Sequence, residues 1–145
     1  MGISVGRLLA IGAALLLVVD SFLPWYRPAY GGTLDGWHQM GPLEFILAAA
    51  LLVWEGVRLA GRTEVTPRRA DIGTAAVAVA TVVFALIFFL VRLSDGSLGA
   101  GVWIGLVLTV LLALAAWLLV AGAGGVKAVK ETVDEMGDHS PDFPE

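Results

Sequence analysis

Cysteine is absent from the 145 residues, which rules out a disulfide framework and any thiolate metal or redox site. Charge is scarce as well: 15% of residues are charged, against 58% hydrophobic, and the mean hydropathy is +0.85. A water-soluble domain of this length leaves too much of its surface exposed to hide that much apolar material. Basic surface is also missing. The two lysines after position 126 face six acids there, and the rest of the chain balances seven basic against seven acidic residues. No surplus is left for nucleic acid, which is therefore not an expected partner.

What the chain has instead is four apolar runs, each near the 20 or so helical residues that cross a hydrocarbon core. They are 3–23, 42–61, 70–93 and 98–123. The first opens like a secretory signal, with Arg7 before an apolar stretch, but it runs on to Leu23 without a nearby cleavage pattern and is expected to be retained. The fold class expected is all-α, a four-transmembrane-helix bundle with up-down-up-down order. Residues 1–125 form that membrane domain, and 126–145 an acidic cytoplasmic tail, a short helix followed by disorder. Basic residues set the direction. Arg7, Arg58, Arg62, Arg68, Arg69, Lys127 and Lys130 fall on one side, and only Arg27 and Arg92 on the other, which predicts both termini in the cytoplasm of a multi-pass cell-membrane protein.

Helical spacing sorts the polar residues within the spans. Glu44 and Glu55 are about three turns apart and share a face, which Arg58 continues. In the third span Thr74, Thr81 and Arg92 mark a comparable stripe, and charged groups at such depths turn away from lipid. An antiparallel register that sets Glu44 opposite Arg92 also sets Glu55 opposite Thr81. It predicts a clamp of Asp20, Glu44 and Arg92 at the outer end, and a buried polar set of Glu55, Arg58 and Thr81 toward the inner end. In the fourth span Gly101, Gly105, Thr109 and Ala113 recur every four residues, a stripe along which another helix can approach, from this chain or from a second copy.

The loop "DSFLPWYRPAYGGTLDGWHQMGPLE" is the place to look for chemistry. His38 lies there among acids, but no metal-ligand spacing such as His-x-x-x-His occurs. Pro24 and Pro28 stiffen a helix exit while Trp25 and Tyr26 suit headgroup level. No serine elbow or Ser–Lys pair is present, and the glycines of "AGAGG" precede no P-loop lysine. No catalytic residue, metal or cofactor is therefore expected.

The segments "SFLPWYR", "GWH" and "GPLEFILAAALL" resemble the small four-span membrane proteins of actinobacteria that carry a "FLPWY" signature at the end of the first helix. The resemblance covers roughly residues 12 to 55. It implies a four-span architecture and supplies no catalytic residue. The expected function is that of a non-enzymatic integral membrane protein working by contact, as a scaffold, an accessory subunit or a small homo-oligomer, with membrane lipids or a membrane protein as partners. The alternative is a lipid-binding, transport or pore element using the Glu44–Glu55 face.

Overall fold

The computed structural model describes residues 3–26, 34–35, 41–94 and 98–137, with the backbone alone at 24–26, 34, 35, 41, 42, 92 and 136. The fold is all-α. Its helices are α1 (Val5–Asp20), α2 (Gly41–Leu59), α3 (Pro67–Ser94), α4 (Ala100–Gly122) and α5 (Gly125–Gly137). Between α1 and α2 a short antiparallel ribbon pairs β1 (Pro24–Tyr26) with β2 (Leu34–Asp35), within the segment read from sequence as a loop.

Local chemistry explains the helix ends. Ser4 has extended backbone, and its hydroxyl accepts from the Arg7 N–H at 3.3 Å, an N-cap that starts α1. At the other end the Ser21 hydroxyl reaches the Val18 carbonyl at 2.7 Å. α1 ends at Asp20, three residues short of the expected run. Past α2, Gly61 adopts φ +67°; its N–H donates to the Arg58 carbonyl and the Arg62 N–H to that of Val57. That pair of bonds is a Schellman motif, which needs a left-handed residue and so favours glycine. Pro67 occupies the first position of α3, where its missing N–H costs nothing. Two glycines with positive φ, Gly124 and Gly125, mark the junction of α4 with α5.

α1 packs on α2 and α4, and α3 packs on the same two, so that α2 and α4 lie across a diagonal. Successive helices run antiparallel, which brings the start of α1, the end of α2, the start of α3 and the end of α4 to one end, together with α5. The core is narrow and built of small residues: Ala10, Ala13, Ala14, Ala48, Ala78, Ala115 and Ala116, with Leu17, Leu51 and Leu112 among them. Gly6 shows how close the approach is. A Cβ there would lie 3.2 Å from Leu118 Cβ and Leu119 Cγ, so the missing side chain lets α1 meet α4.

Of the four expected spans, α3 and α4 are long and apolar enough to cross a membrane, each reaching a mean hydropathy of 2.7 over its most apolar stretch. α1, at 16 residues, is roughly 24 Å long at 1.5 Å per residue, short of a full hydrocarbon core.

Candidate functional site

The polar groups inside the helix packing meet at the end where α1 begins. Glu55 on α2 is 1% exposed. Its Oε2 accepts from Arg7 Nε at 2.9 Å, and its Oε1 accepts from Arg58 Nη1 at 2.7 Å and from the Thr74 hydroxyl at 2.5 Å. Arg58 also donates from Nη2 to Asp71 Oδ1 at 2.6 Å and from Nη1 to Thr74 Oγ1 at 3.0 Å. The Trp54 indole N–H donates to that same threonine oxygen at 3.1 Å. Thr74 has one proton and two lone pairs. The proton goes to Glu55, the nearer of two acceptors, and the lone pairs take Arg58 and Trp54.

Two guanidiniums thus face two carboxylates, and the charges balance. Three helices contribute, and breaking one member would leave its partners buried and unpaired, which costs far more than the set gains over an apolar core. The arrangement presents no free nucleophile. Its geometry is that of a lock.

The register of α2 against α3 differs from the one expected. Glu55 meets Thr74, seven residues nearer the start of α3 than Thr81. Glu44 accordingly lies beside Ala85 and Phe89. Thr81 is fully buried, and its hydroxyl donates to the Val77 carbonyl of its own helix at 2.9 Å, so it does not join Glu55 and Arg58. The two threonines are one heptad apart and occupy the same face, which is why sequence spacing selects the face and misses the level. In the sequence Arg7 serves only to mark the basic side, and nothing in the spacing brings Trp54 or Asp71 to Glu55. The signal that could have promoted Arg7 was its depth, one turn inside the first helix.

At the opposite end Asp20 and Glu44 are also buried, at 1% and 7% exposure. The Arg92 side chain, the cation of the expected clamp, lies outside the described residues, as does His38. Glu44 Oε1 is enclosed without a hydrogen-bond partner among the described residues, and Glu44 borders a cavity of about 10 Å³, which Gly105 and Thr109 also line. That is about the space of one water molecule. Gly101, Gly105 and Thr109 are buried within the single chain, while Ala113 is exposed. Among the described residues no three His, Cys, Asp or Glu side chains are grouped to hold a metal.

No protein-family model, curated protein or solved structure matches the chain.

Around this interior the surface is apolar. Leu8, Leu15 and Val19 on α1, Ile46 and Val53 on α2, Val79, Val83 and Leu90 on α3, and Val107, Val110 and Trp117 on α4 are all exposed. Only 33% and 39% of the apolar stretches of α3 and α4 are buried within the chain, whereas a core helix of a soluble protein is mostly covered.

Proposed function

We propose that the chain is a multi-pass integral protein of the cell membrane: a four-helix bundle, α1 to α4 crossing in turn, that works by contact as a scaffold, an accessory subunit or a small homo-oligomer and not as an enzyme. The observation that carries this reading is the distribution of polarity. Glu55, Asp20, Glu44, Thr74 and Thr109 are buried, while Leu, Val, Ile and Phe dominate the outside. In water that arrangement is unstable; in lipid it is the expected one. The end that holds Arg7, Arg58, Arg62, Arg68 and Arg69 is then the cytoplasmic end. The self-contained lock at Glu55 supports a structural role for the deepest charges. A four-span plan is also what the resemblance to small actinobacterial membrane proteins implies.

A path running between Glu44 and Glu55 is the weaker reading, because Ala48 and Leu51 on the same face are fully buried and fill the interval. The test uses the absence of native cysteine. Single cysteines at Thr63 and at Asp35, probed with a membrane-impermeant maleimide, should label from the cytoplasmic and the outer side respectively. Labelling of both from one side, or release of the chain by alkaline carbonate, would overturn the reading. Light scattering in mild detergent then separates a lone bundle from an oligomer.

A further inference from the structure

α5 has two apolar faces, and the bundle covers one of them. At about 100° of rotation per residue, Ala128, Thr132 and Glu135 fall together, and the first two are buried. Glu131 flanks them. Its pair with Arg68, and that of Glu135 with Arg69, mark this side as the one turned to the bundle. Val126, Val129 and Val133 make up the second face, on the far side of the helix. Val126 is 81% and Val133 54% exposed, and Val129 is half-buried. Lys130 edges these valines, while Lys127 and Asp134 take the remaining side, both exposed.

We propose that α5 lies flat in the cytoplasmic headgroup layer beside the bundle, with its valine face on the lipid surface. This rests on the membrane reading. Depth is the first argument: the 23 residues of α4 are about 34 Å long, close to a hydrocarbon core of about 30 Å, so α5 begins at headgroup level. Orientation is the second. Arg68 and Arg69 are neighbours on α3, yet they hold Glu131 and Glu135, a full turn apart on α5. A helix crossing the end of α3 meets that spacing, and such a helix runs in the membrane plane. With one side against the bundle, its other sides face lipid and water, which the valines and the Lys127–Asp134 side fit respectively. Charge agrees. Two of the three acids on α5 are neutralised by arginines, which leaves Lys127 and Lys130 against Asp134, and Lys130 stands next to the valines where its ammonium reaches headgroup phosphates. Three valines would not hold a free helix on a bilayer, but α5 is tethered to a span that ends at the surface, so a weak contact suffices.

The chain has no native cysteine, so single nitroxide labels can read the surroundings of each face. Val126→Cys, Lys127→Cys, Val133→Cys and Asp134→Cys are labelled in the full chain, with Val79→Cys on α3 as the reference for lipid. All five positions are exposed, so the substitutions leave the packing alone. In nanodiscs of phosphatidylcholine and phosphatidylglycerol, collisions of each label with oxygen, which enters lipid, and with a water-soluble nickel chelate are measured by power saturation. The oxygen-to-nickel ratio should be several-fold higher at 126 and 133 than at 127 and 134. Equal ratios on the two faces, with the label at 79 in lipid, overturn the proposal and leave the membrane reading standing. Protection of 126 and 133 from both reagents also overturns it, and dipolar broadening between labels would then assign the face to a second copy. A label at 79 open to the nickel chelate shows that the chain is not in the bilayer, and both readings fall.

Discussion

Thr74 carries a single hydroxyl, and that hydroxyl ties an indole, a guanidinium and a carboxylate from α2 onto α3. Its position makes it a better probe of the lock than the charged residues. Thr74→Val keeps the shape and leaves three polar partners short of one bond. The expected loss is about 1–3 kcal/mol of stability, read from the melting temperature in detergent, together with a change in Trp54 emission. Glu55→Gln goes further, since two guanidiniums then face no carboxylate except Asp71. About 3–5 kcal/mol should be lost, whereas Glu64→Gln, at an exposed loop position, should leave melting unchanged. Equal effects of the two glutamate variants would show that the lock contributes nothing to the fold.

At the scale of the element, α1 and α4 are held apart by so little that one methyl group matters. Gly6→Ala sets a Cβ at 3.2 Å from two leucine side chains and 3.3 Å from the Leu119 backbone nitrogen, so the contact has to give by a few tenths of an ångström, and the backbone atom gives least. A destabilisation of about 1–3 kcal/mol is expected, while Gly12→Ala, where a Cβ meets nothing within 4 Å, should be neutral or mildly stabilising. Chemical denaturation of the two variants side by side checks this. α5 is held differently. Ala128 and Thr132 are buried, and Arg68–Glu131 and Arg69–Glu135 pairs tie it to the start of α3, both exposed. Exposed pairs contribute little and are screened by salt. In about 1 M salt, where the Debye length is about 3 Å, amide exchange along α5 should accelerate while α1 to α4 keep their protection. Unchanged exchange in α5 would mean that Ala128 and Thr132 hold it unaided.

For the whole molecule the decisive question is what solvent surrounds it. Val79 is half exposed near the middle of α3. In water, Val79→Lys would be a harmless surface change. In a bilayer it sets a charge near the midplane, at about 2.5–3.5 kcal/mol on insertion scales, and the fraction of chain integrated into membranes should fall. Normal integration of that variant would argue against lipid contact at this face.

The sequence alone determined the helical segments, because apolar periodicity and the punctuation by Pro67, Gly61 and the Gly124–Gly125 pair act locally. The second apolar run, expected at 42–61, is helical over 41–59 for that reason. It also determined that Glu55 and Arg58 share a face, since one turn of helix suffices. Tertiary structure decided the rest. Whether Glu55 meets Thr74 or Thr81 depends on how far α3 slides along α2, and two threonines seven residues apart offer the same face to either register. The pairing of Arg7 with Glu55 spans 48 positions of chain and depends on α1 packing on α2. Gly6 is one glycine among 18 in the sequence, and only the approach of α4 made it a contact. Local signals set which side chains point inward, but their level along the helix axis follows from the fit between helices, where a shift of two turns preserves every face and changes every partner.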